Sequence, residues 1–353
     1  MSRNFIHYLR NLLTTTLLAE NTFNKLGILL KRNFILVAAI LMTTTQVNAN
    51  ALNGCLSHFL KGKPPTVVKS SKITSAYTEI CFSTFAVNYS HLTKAPNWSA
   101  EFVTPQGLAL ARGMKREDNF HEESRIPEKY RSLLSDFRKS GYDRGHLSPN
   151  GNRINKIDQY ESFSLANIIP QSSHANQNGW REIEESVRTL VTKHRQPVYI
   201  ITGTLYLDSK NQRKIGKSKV YVPSHTYKAV YFPNSKIASA YVMLNDDTQQ
   251  KDVVSISQLQ SYTGIVLFPS LINDYASSRR YDLPYSANAA YKLKTINISN
   301  VQTSTIFSVM PNQDALPPLK PIKEIKERIS QVSIPKIDKN AIKREIKILD
   351  GIW

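Results

Sequence analysis

The sequence has few acidic residues for its length: 27 Asp and Glu stand against 46 Lys and Arg, which gives a formal net charge of +19. Such an excess of positive charge says nothing about the fold, but it indicates a negatively charged binding partner: nucleic acid, anionic lipid or an acidic polymer. A solvated basic surface without such a partner is the alternative. The hydrophobic fraction of 41% is normal for a chain with a buried core, and 353 residues allow one large domain or two.

Cysteine is also scarce, since the chain contains only Cys55 and Cys81. A metal site built on two cysteines would need further ligands close by, and only His58 lies near either of them. Both cysteines follow the segment that we interpret below as an export signal. We therefore expect Cys55 and Cys81 to form a disulfide bond.

The N-terminal apolar run is short. Residues 34–42 are apolar but far fewer than the ~20 that a membrane span needs. Basic residues precede the run and small-residue sites follow it, so we interpret residues 31–51 as a signal peptide of a secreted or periplasmic protein without a stable membrane anchor after cleavage. Residues 1–30 form an upstream extension, most simply a start codon assigned too early. A mitochondrial presequence is the alternative.

The remaining chain divides into three parts and shows no internal repeat. Residues 52–77 are an irregular lead-in, residues 78–275 one domain, and residues 276–353 a basic, flexible tail. Within the domain, strand composition recurs around 86–90, 98–103, 197–203, 219–223, 227–231 and 238–243. Helical spacing of apolar residues predicts a helix over 127–139. The mixture predicts an α+β fold with a central, largely antiparallel sheet flanked by helices.

The most informative motif is Gly-Tyr-Asp-Arg-Gly-His at residues 141–146. His146 can accept a proton near neutral pH, and the Arg144 guanidinium can bind phosphate oxygens with two donors. The simpler interpretation of Asp143 is a structural role, in which its carboxylate holds the strand or loop through hydrogen bonds. In a strongly basic chain, this cluster indicates chemistry on a phosphodiester.

The segment after the motif completes a β-β-α unit. A loop and a predicted strand over 162–171 lead into a helix from residue 180 to about 192. Asn176, Trp180 and Glu184 are spaced four apart, which would align them on one helix face. We expect Trp180 to belong to the core, and the plain alternative for Glu184 is a solvated helix residue. The unit places a base and oxygen ligands across a small cleft.

The motifs together resemble the DNA/RNA non-specific endonucleases of the ββα-metal superfamily, which include secreted bacterial nucleases and endonuclease G. The resemblance covers about 78–271. It rests on Asp143–His146, on Asn167 with Pro170 and Gln171, on Asn176, Gln177, Trp180 and Glu184, on Arg116 with Phe120, and on Thr263–Ile265 with Phe268 and Pro269.

The resemblance implies a role for each matching residue. His146 would be the general base that takes a proton from water, and Asn176 would be the one direct protein ligand of Mg²⁺, with Mn²⁺ also possible. Glu184 would orient waters of the metal, while Asn167 would support the site by hydrogen bonds. Two further residues, Arg116 and Arg144, would neutralise charge on the phosphate, with Arg112 as an alternative to Arg116.

The resemblance thus implies a secreted, Mg²⁺-dependent endonuclease that hydrolyses DNA and RNA to products with 5′-phosphates. Two other functions compete with it: a nucleic-acid-binding or uptake protein that keeps the fold without cutting, and a phosphodiesterase of small diesters.

Overall fold

The computed structural model describes residues 51–208 and 212–311. The strands in chain order are β1 (Thr66–Val67), β2 (Tyr77–Cys81), β3 (Phe85–Ser90), β4 (Ala95–Val103), β5 (Asp143–His146), β6 (Ile168–Gln171), β7 (Val198–Leu205), β8 (Lys214–Ile215), β9 (Val220–Tyr221), β10 (His225–Phe232), β11 (Ile237–Leu244), β12 (Lys251–Val254) and β13 (Ile265–Val266). Seven of them form one sheet in the order β12-β11-β10-β7-β4-β3-β2. Every neighbouring pair in this sheet is antiparallel.

Helices cover both faces of the seven-stranded sheet. The α-helices are α1 (Pro105–Ala111), α2 (Leu134–Phe137), α3 (Lys156–Ser162), α4 (Arg181–Lys193), α5 (Ile256–Thr263), α6 (Tyr275–Ser278) and α7 (Ala287–Lys292). One face packs α1, α4 and α7 through a cluster that includes Trp180, Ile183 and Val230. The other face packs α5, α6 and the N-terminal segment. This arrangement confirms the predicted α+β class with its antiparallel sheet.

The strands β5 and β6 form a separate antiparallel pair beside the main sheet. Gly145 in β5 faces β6 at very close range, because a Cβ atom built on it would lie 2.7 Å from the Cβ of Gln171 and closer still to Oε1 of that side chain. Only glycine has no Cβ to place there. The close approach of β6 therefore explains the glycine immediately before His146.

Two links fix the N-terminal segment to the domain. Cys55 and Cys81 form the expected disulfide bond, which joins a 3₁₀ turn (Asn53–His58) to the end of β2. β1 pairs antiparallel with β13, about 200 residues later in the chain. The lead-in is thus part of the folded domain, and two 3₁₀ turns (Asn53–His58 and Leu60–Gly62) and β1 lie within it. The predicted signal peptide and upstream extension lie outside the described residues.

The predicted helix over 127–139 is wrong. The structure has a 3₁₀ turn at Glu128–Tyr130 and then the single turn α2. Between them the backbone forms a hydrogen bond with a side chain of β3: the Ser132 N–H donates to the Tyr89 hydroxyl at 3.0 Å. This tertiary hydrogen bond overrides the helical spacing of Leu133, Leu134 and Phe137. The predicted strands, by contrast, all overlap observed strands.

The flexible tail predicted from residue 276 is wrong for residues 276–311. Helix α7 packs against α4, and Leu283, Ala290 and Ile296 lie in the core. The carbonyl oxygen of Pro284 accepts hydrogen bonds from Ser186 Oγ at 2.6 Å and from the Tyr241 hydroxyl at 2.8 Å. The folded domain therefore extends past its expected end. Residues 312–353 lie outside the described residues.

In the part of the chain that the structure describes, no helix combines the length and apolar composition that crossing a bilayer requires.

Candidate active site

A cleft of about 1140 Å³ opens beside the β5–β6 pair. Five of the residues predicted from the sequence line it: Arg116, Arg144, His146, Asn176 and Glu184. They come from four places in the chain, namely the segment before α2, strand β5, the turn before α4 and α4 itself. The fold therefore brings together residues that are up to 68 positions apart (184 − 116).

His146 is held between two aromatic rings. The ring centroids of Phe120 and Phe163 lie 5.4 Å and 4.9 Å from the imidazole. Burial, and then the charges of nearby arginines, lower the pKa of His146 to about 3. Its Nε2 has no hydrogen-bond partner among the described residues. The imidazole is therefore neutral at physiological pH and able to accept a proton.

The same two rings carry the predicted phosphate ligands. The Arg144 guanidinium lies 4.1 Å from the centroid of Phe120, and that of Arg116 lies 5.2 Å from the centroid of Phe163. Phe120 and Phe163 contact each other edge to face at 4.8 Å. Contact with an aromatic face leaves the edge of a guanidinium able to donate to phosphate oxygens, although Nε of Arg116 also donates to Asp118. The aromatic pair thus sets the positions of the base and both cations.

The structure separates the two candidate arginines near residue 116. Arg116 lines the cleft and forms an exposed ion pair with Asp118 at 2.7 Å. Arg112 follows the last residue of α1 and lines a different, adjoining groove. Arg116 is therefore the one of the two that lies beside His146.

Asp143 determines how the Asn176 amide is oriented. Its Oδ2 accepts from Asn176 Nδ2 at 3.0 Å and from Gln177 Nε2 at 2.8 Å, and its Oδ1 accepts from Ser173 Oγ at 2.8 Å. Burial alone would raise the pKa of Asp143, but these hydrogen bonds outweigh it and hold the pKa below its usual value. A carboxylate only accepts, so the amide must present nitrogen to it. The Asn176 Oδ1 is thus left as the atom that can bind a cation.

The helix that carries Asn176 and Glu184 is not regular. Residues Ala175–Trp180 form a π-helical turn, and α4 follows directly. The wider turn means that a spacing of four no longer aligns three side chains. Trp180 is buried in the core as expected, whereas Asn176 and Glu184 line the cleft. The prediction that all three share one face is therefore wrong, although the two polar residues do meet.

Asn167 supports the site from behind and does not line the cleft. It is fully buried. Its Oδ1 accepts from the Ser148 N–H at 2.9 Å, and its Nδ2 donates to the carbonyl oxygens of Ser148 at 2.8 Å and Ser162 at 2.9 Å. These bonds fix the chain two residues after His146. Asn167 thus fixes the backbone behind the cleft without reaching into it.

Comparison with known proteins agrees with this geometry. A sequence profile of the DNA/RNA non-specific endonucleases matches residues 63–274, which is more than half of the chain. The chain belongs to the DNA/RNA non-specific endonuclease family. Nucleases of this family depend on a metal ion.

Named relatives point the same way. Mitochondrial endonuclease G of Bos taurus is 31% identical over 207 residues, covering 54% of this chain and 69% of the bovine protein. The mitochondrial nuclease of Saccharomyces cerevisiae is 32% identical over 204 residues, covering 51% of this chain and 62% of the yeast protein. A crystal structure of the EndoG/EndoGI complex matches with a TM-score of 0.50 and 26% identity, covering 57% of this chain and 92% of the other. The fold is thus that of a ββα-metal nuclease.

Sequence reasoning missed the buried charges behind the nuclease site. Glu101 accepts from Ser148 Oγ at 3.0 Å and from Asn152 Nδ2 at 3.1 Å, and it forms a buried ion pair with Arg153. These contacts clamp the segment that follows His146. No pattern in the sequence distinguishes such residues, since a buried charge is recognised only when its partner is seen.

Lys228 is a second buried charged residue that the sequence did not predict. It lies in the middle of β10, is 1% exposed, and donates to Thr202 Oγ1 at 2.7 Å. Burial raises the pKa of Glu184, while the positive charges of Lys228 and Arg188 act in the opposite direction. Burial prevails, so the pKa of Glu184 stays above its usual value, and the charge of Lys228 limits this rise.

The low pKa of His146 makes the stability of the metal-free nuclease depend on pH. Below about pH 6.5 the unfolded chain binds a proton at this residue, and the folded chain does not until about pH 3. The unfolded state thus binds more protons, so the free energy of unfolding falls as pH is lowered through this window. We expect His146→Gln to show a shallower fall between pH 6.5 and 3 in urea denaturation with EDTA. Parallel curves for the two proteins would contradict the burial of a neutral imidazole.

Proposed function

We propose that this protein is an Mg²⁺-dependent, sugar-nonspecific endonuclease that hydrolyses DNA and RNA to products with 5′-phosphates, with Mn²⁺ as an alternative metal. One observation carries the proposal: a neutral imidazole, two guanidiniums and an amide oxygen oriented by Asp143 converge in one cleft. The net charge of +19 is suited to a polyanionic substrate.

His146 acts as the general base in this proposal. Its pKa of about 3 in the free protein keeps the ring in the accepting form at neutral pH. Phe120 and Phe163 hold the ring in place, so it need not reorganise when water attacks phosphorus. The imidazole takes the proton of that water, and general bases of this kind contribute about 10²–10⁴-fold to rate.

Arg144 and Arg116 bind the non-bridging phosphate oxygens. Both guanidiniums lie on the aromatic pair that flanks His146, so base and cations share one support. Donors that are placed before reaction stabilise the charge that develops on the phosphate. Because such contacts go to the backbone of a nucleic acid, they are independent of base sequence.

The donor set fits a hard divalent cation that keeps most of its waters. Among the residues described, no group of three or more His, Cys, Asp or Glu side chains converges as a metal site. Asn176 offers a neutral amide oxygen, and Glu184 stands in the same cleft to accept hydrogen bonds from waters. Mg²⁺ prefers oxygen ligands and few protein contacts. Asn176 would hold this cation, which would supply positive charge to offset the charge that develops on the substrate during cleavage.

The test is cleavage by the purified protein of duplex DNA, single-stranded DNA and RNA, each with Mg²⁺ and with EDTA. We expect all three polymers to be cut with Mg²⁺, to be intact with EDTA, and to give fragments that a 5′-phosphate-dependent ligase can join. Tight binding without cleavage in any divalent metal would identify a binding or uptake protein instead. Cleavage of small diesters alone would identify a different phosphodiesterase.

We also propose export through the signal peptide at 31–51. The Cys55–Cys81 disulfide supports an oxidising compartment. The mitochondrial nucleases among the relatives support the alternative of a mitochondrial presequence. N-terminal sequencing of the mature protein decides between them: a start near residue 51 in a secreted or periplasmic fraction supports export, and recovery in mitochondria contradicts it.

A further inference from the structure

A second groove continues from the catalytic cleft. It has a volume of about 360 Å³ and lies between α1, α4 and α7. Gly151, Glu185 and Arg188 border both the cleft and this groove, so the two are directly connected. The groove's own residues are Leu108, Ala111, Arg112, Thr189, Thr192 and Ala287. Ala287 belongs to the segment after residue 274, beyond the match to the family profile.

Two arginines mark the ends of the groove. Arg188 stands at its junction with the cleft, where its Nη1 donates to Asn152 Oδ1 at 3.4 Å and would lie 3.1 Å from a Cβ at Gly151. Arg112, beyond it, is exposed, and its guanidinium has no hydrogen bond or ion pair within the described chain. Against these two guanidiniums stands one carboxylate, Glu185. The groove thus carries net positive charge and one unpaired donor group.

The length of the path can be estimated from α4. Glu184 lies in the cleft and Thr192 at the far wall of the groove, and eight helical residues rise about 12 Å. The axial rise of one DNA strand is about 3.4 Å per nucleotide, so about three to four nucleotides span this distance. A substrate strand that leaves the cleft along α4 therefore reaches the far wall of the groove that Arg112 also lines within a few nucleotides.

We propose that this groove is a second backbone subsite, in which Arg112 binds a phosphate of the substrate strand about three to four nucleotides from the scissile bond. The subsite rests on the proposed nuclease function and extends it to the length of substrate that the enzyme recognises. It makes affinity depend on strand length without reading base sequence, because the contact is to phosphate.

The first test compares Arg112→Ala with Lys236→Ala. Lys236 is exposed in the turn between β10 and β11 and lines neither cavity, so it is a matched loss of charge. For single strands of 3 to 20 nucleotides, we expect the KM of the wild type and of Lys236→Ala to fall about five- to tenfold once the strand passes about four nucleotides at 0.1 M salt. For Arg112→Ala, we expect no such fall in KM with strand length and an unchanged kcat. The slope of log KM against log salt concentration should be smaller by about 1 than in the wild type.

The second test introduces charge at the opposite wall. Ala287→Glu places a carboxylate in the groove, and Ala289→Glu places one at an exposed position two residues later that does not line the groove. Both lie in the first turn of α7, where an acidic residue is compatible with the helix. We expect Ala287→Glu to raise the KM of a 20-mer several-fold more than Ala289→Glu does. Equal effects would mean that only overall charge matters, and would overturn the subsite.

The tests separate failure of the subsite from failure of the proposed function. If the wild type cuts the 20-mer and Arg112→Ala retains the length step, the groove is not a subsite while the nuclease function stands. If the wild type cuts no strand, the nuclease function fails. Fluorescence anisotropy of a labelled 20-mer in EDTA then decides the subsite: weaker binding by Arg112→Ala than by Lys236→Ala supports it, and equal binding overturns it.

Discussion

Replacing His146 with alanine is expected to lower kcat on duplex DNA by about 10²–10⁴-fold, the contribution typical of a general base. The attacking water then lacks the imidazole proposed to take its proton, while Arg116, Arg144 and Asn176 are retained. Binding should be unchanged, because a neutral imidazole contributes no charge to phosphate attraction. The measurement is single-turnover cleavage beside anisotropy of a labelled 30-base-pair duplex.

His174→Ala is the matched control for this variant. His174 is an exposed histidine just before the π-helical turn and does not line the cleft. We expect it to cut at the wild-type rate. A His146→Ala protein that is folded, as judged by its thermal midpoint, and still fully active would remove His146 from the mechanism.

Replacing Asn176 with alanine is expected to abolish cleavage at every attainable Mg²⁺ concentration, because it removes the amide oxygen proposed to bind the cation. Asp143→Ala should behave differently. It leaves that oxygen in place but frees the amide to rotate, and loss of such an outer partner costs about 10–100-fold in metal affinity. Rate against Mg²⁺ concentration therefore separates the two variants: Asp143→Ala recovers at high Mg²⁺, and Asn176→Ala does not.

Gln177→Ala is the control for the second prediction. Gln177 donates to the same Asp143 oxygen but is exposed and contributes no ligand in the proposal. Its loss leaves the Asn176–Asp143 hydrogen bond, so the Mg²⁺ dependence should shift less than in Asp143→Ala. The orienting role of Asp143 fails if Asp143→Ala and the wild type need the same Mg²⁺ concentration.

The site was predictable where the chemistry lies in short motifs. His146 and Arg144 are two positions apart on one strand, and Asn176 precedes a helix whose apolar pattern is clear. Their convergence follows from local β-β-α connectivity, which a sequence displays. Arg116 was harder to choose, since Arg112 is equally basic, and only the fold places one in the cleft and the other in the groove.

What sequence reasoning missed depends on contacts between distant residues. Phe163 supports both His146 and Arg116, yet nothing in its neighbourhood distinguishes it from a core phenylalanine. Lys228 lies in a strand of apolar pattern and is noticed only because a lysine there is fully buried. The break in the predicted helix arises from the hydroxyl of Tyr89, about 40 residues away. Pairings of this kind are decided by tertiary structure and leave no periodic signal.

The order of the strands has a consequence for synthesis. His146, Asn176 and Glu184 all precede β7, β10 and β11, the strands against which the apolar face of α4 packs. A ribosome that has just translated Glu184 has therefore made every proposed catalytic group but none of the three strands on which α4 packs. β1 can pair only later, because its partner β13 ends at residue 266. During synthesis, the proposed catalytic residues are therefore all present before the sheet that brings them together can form.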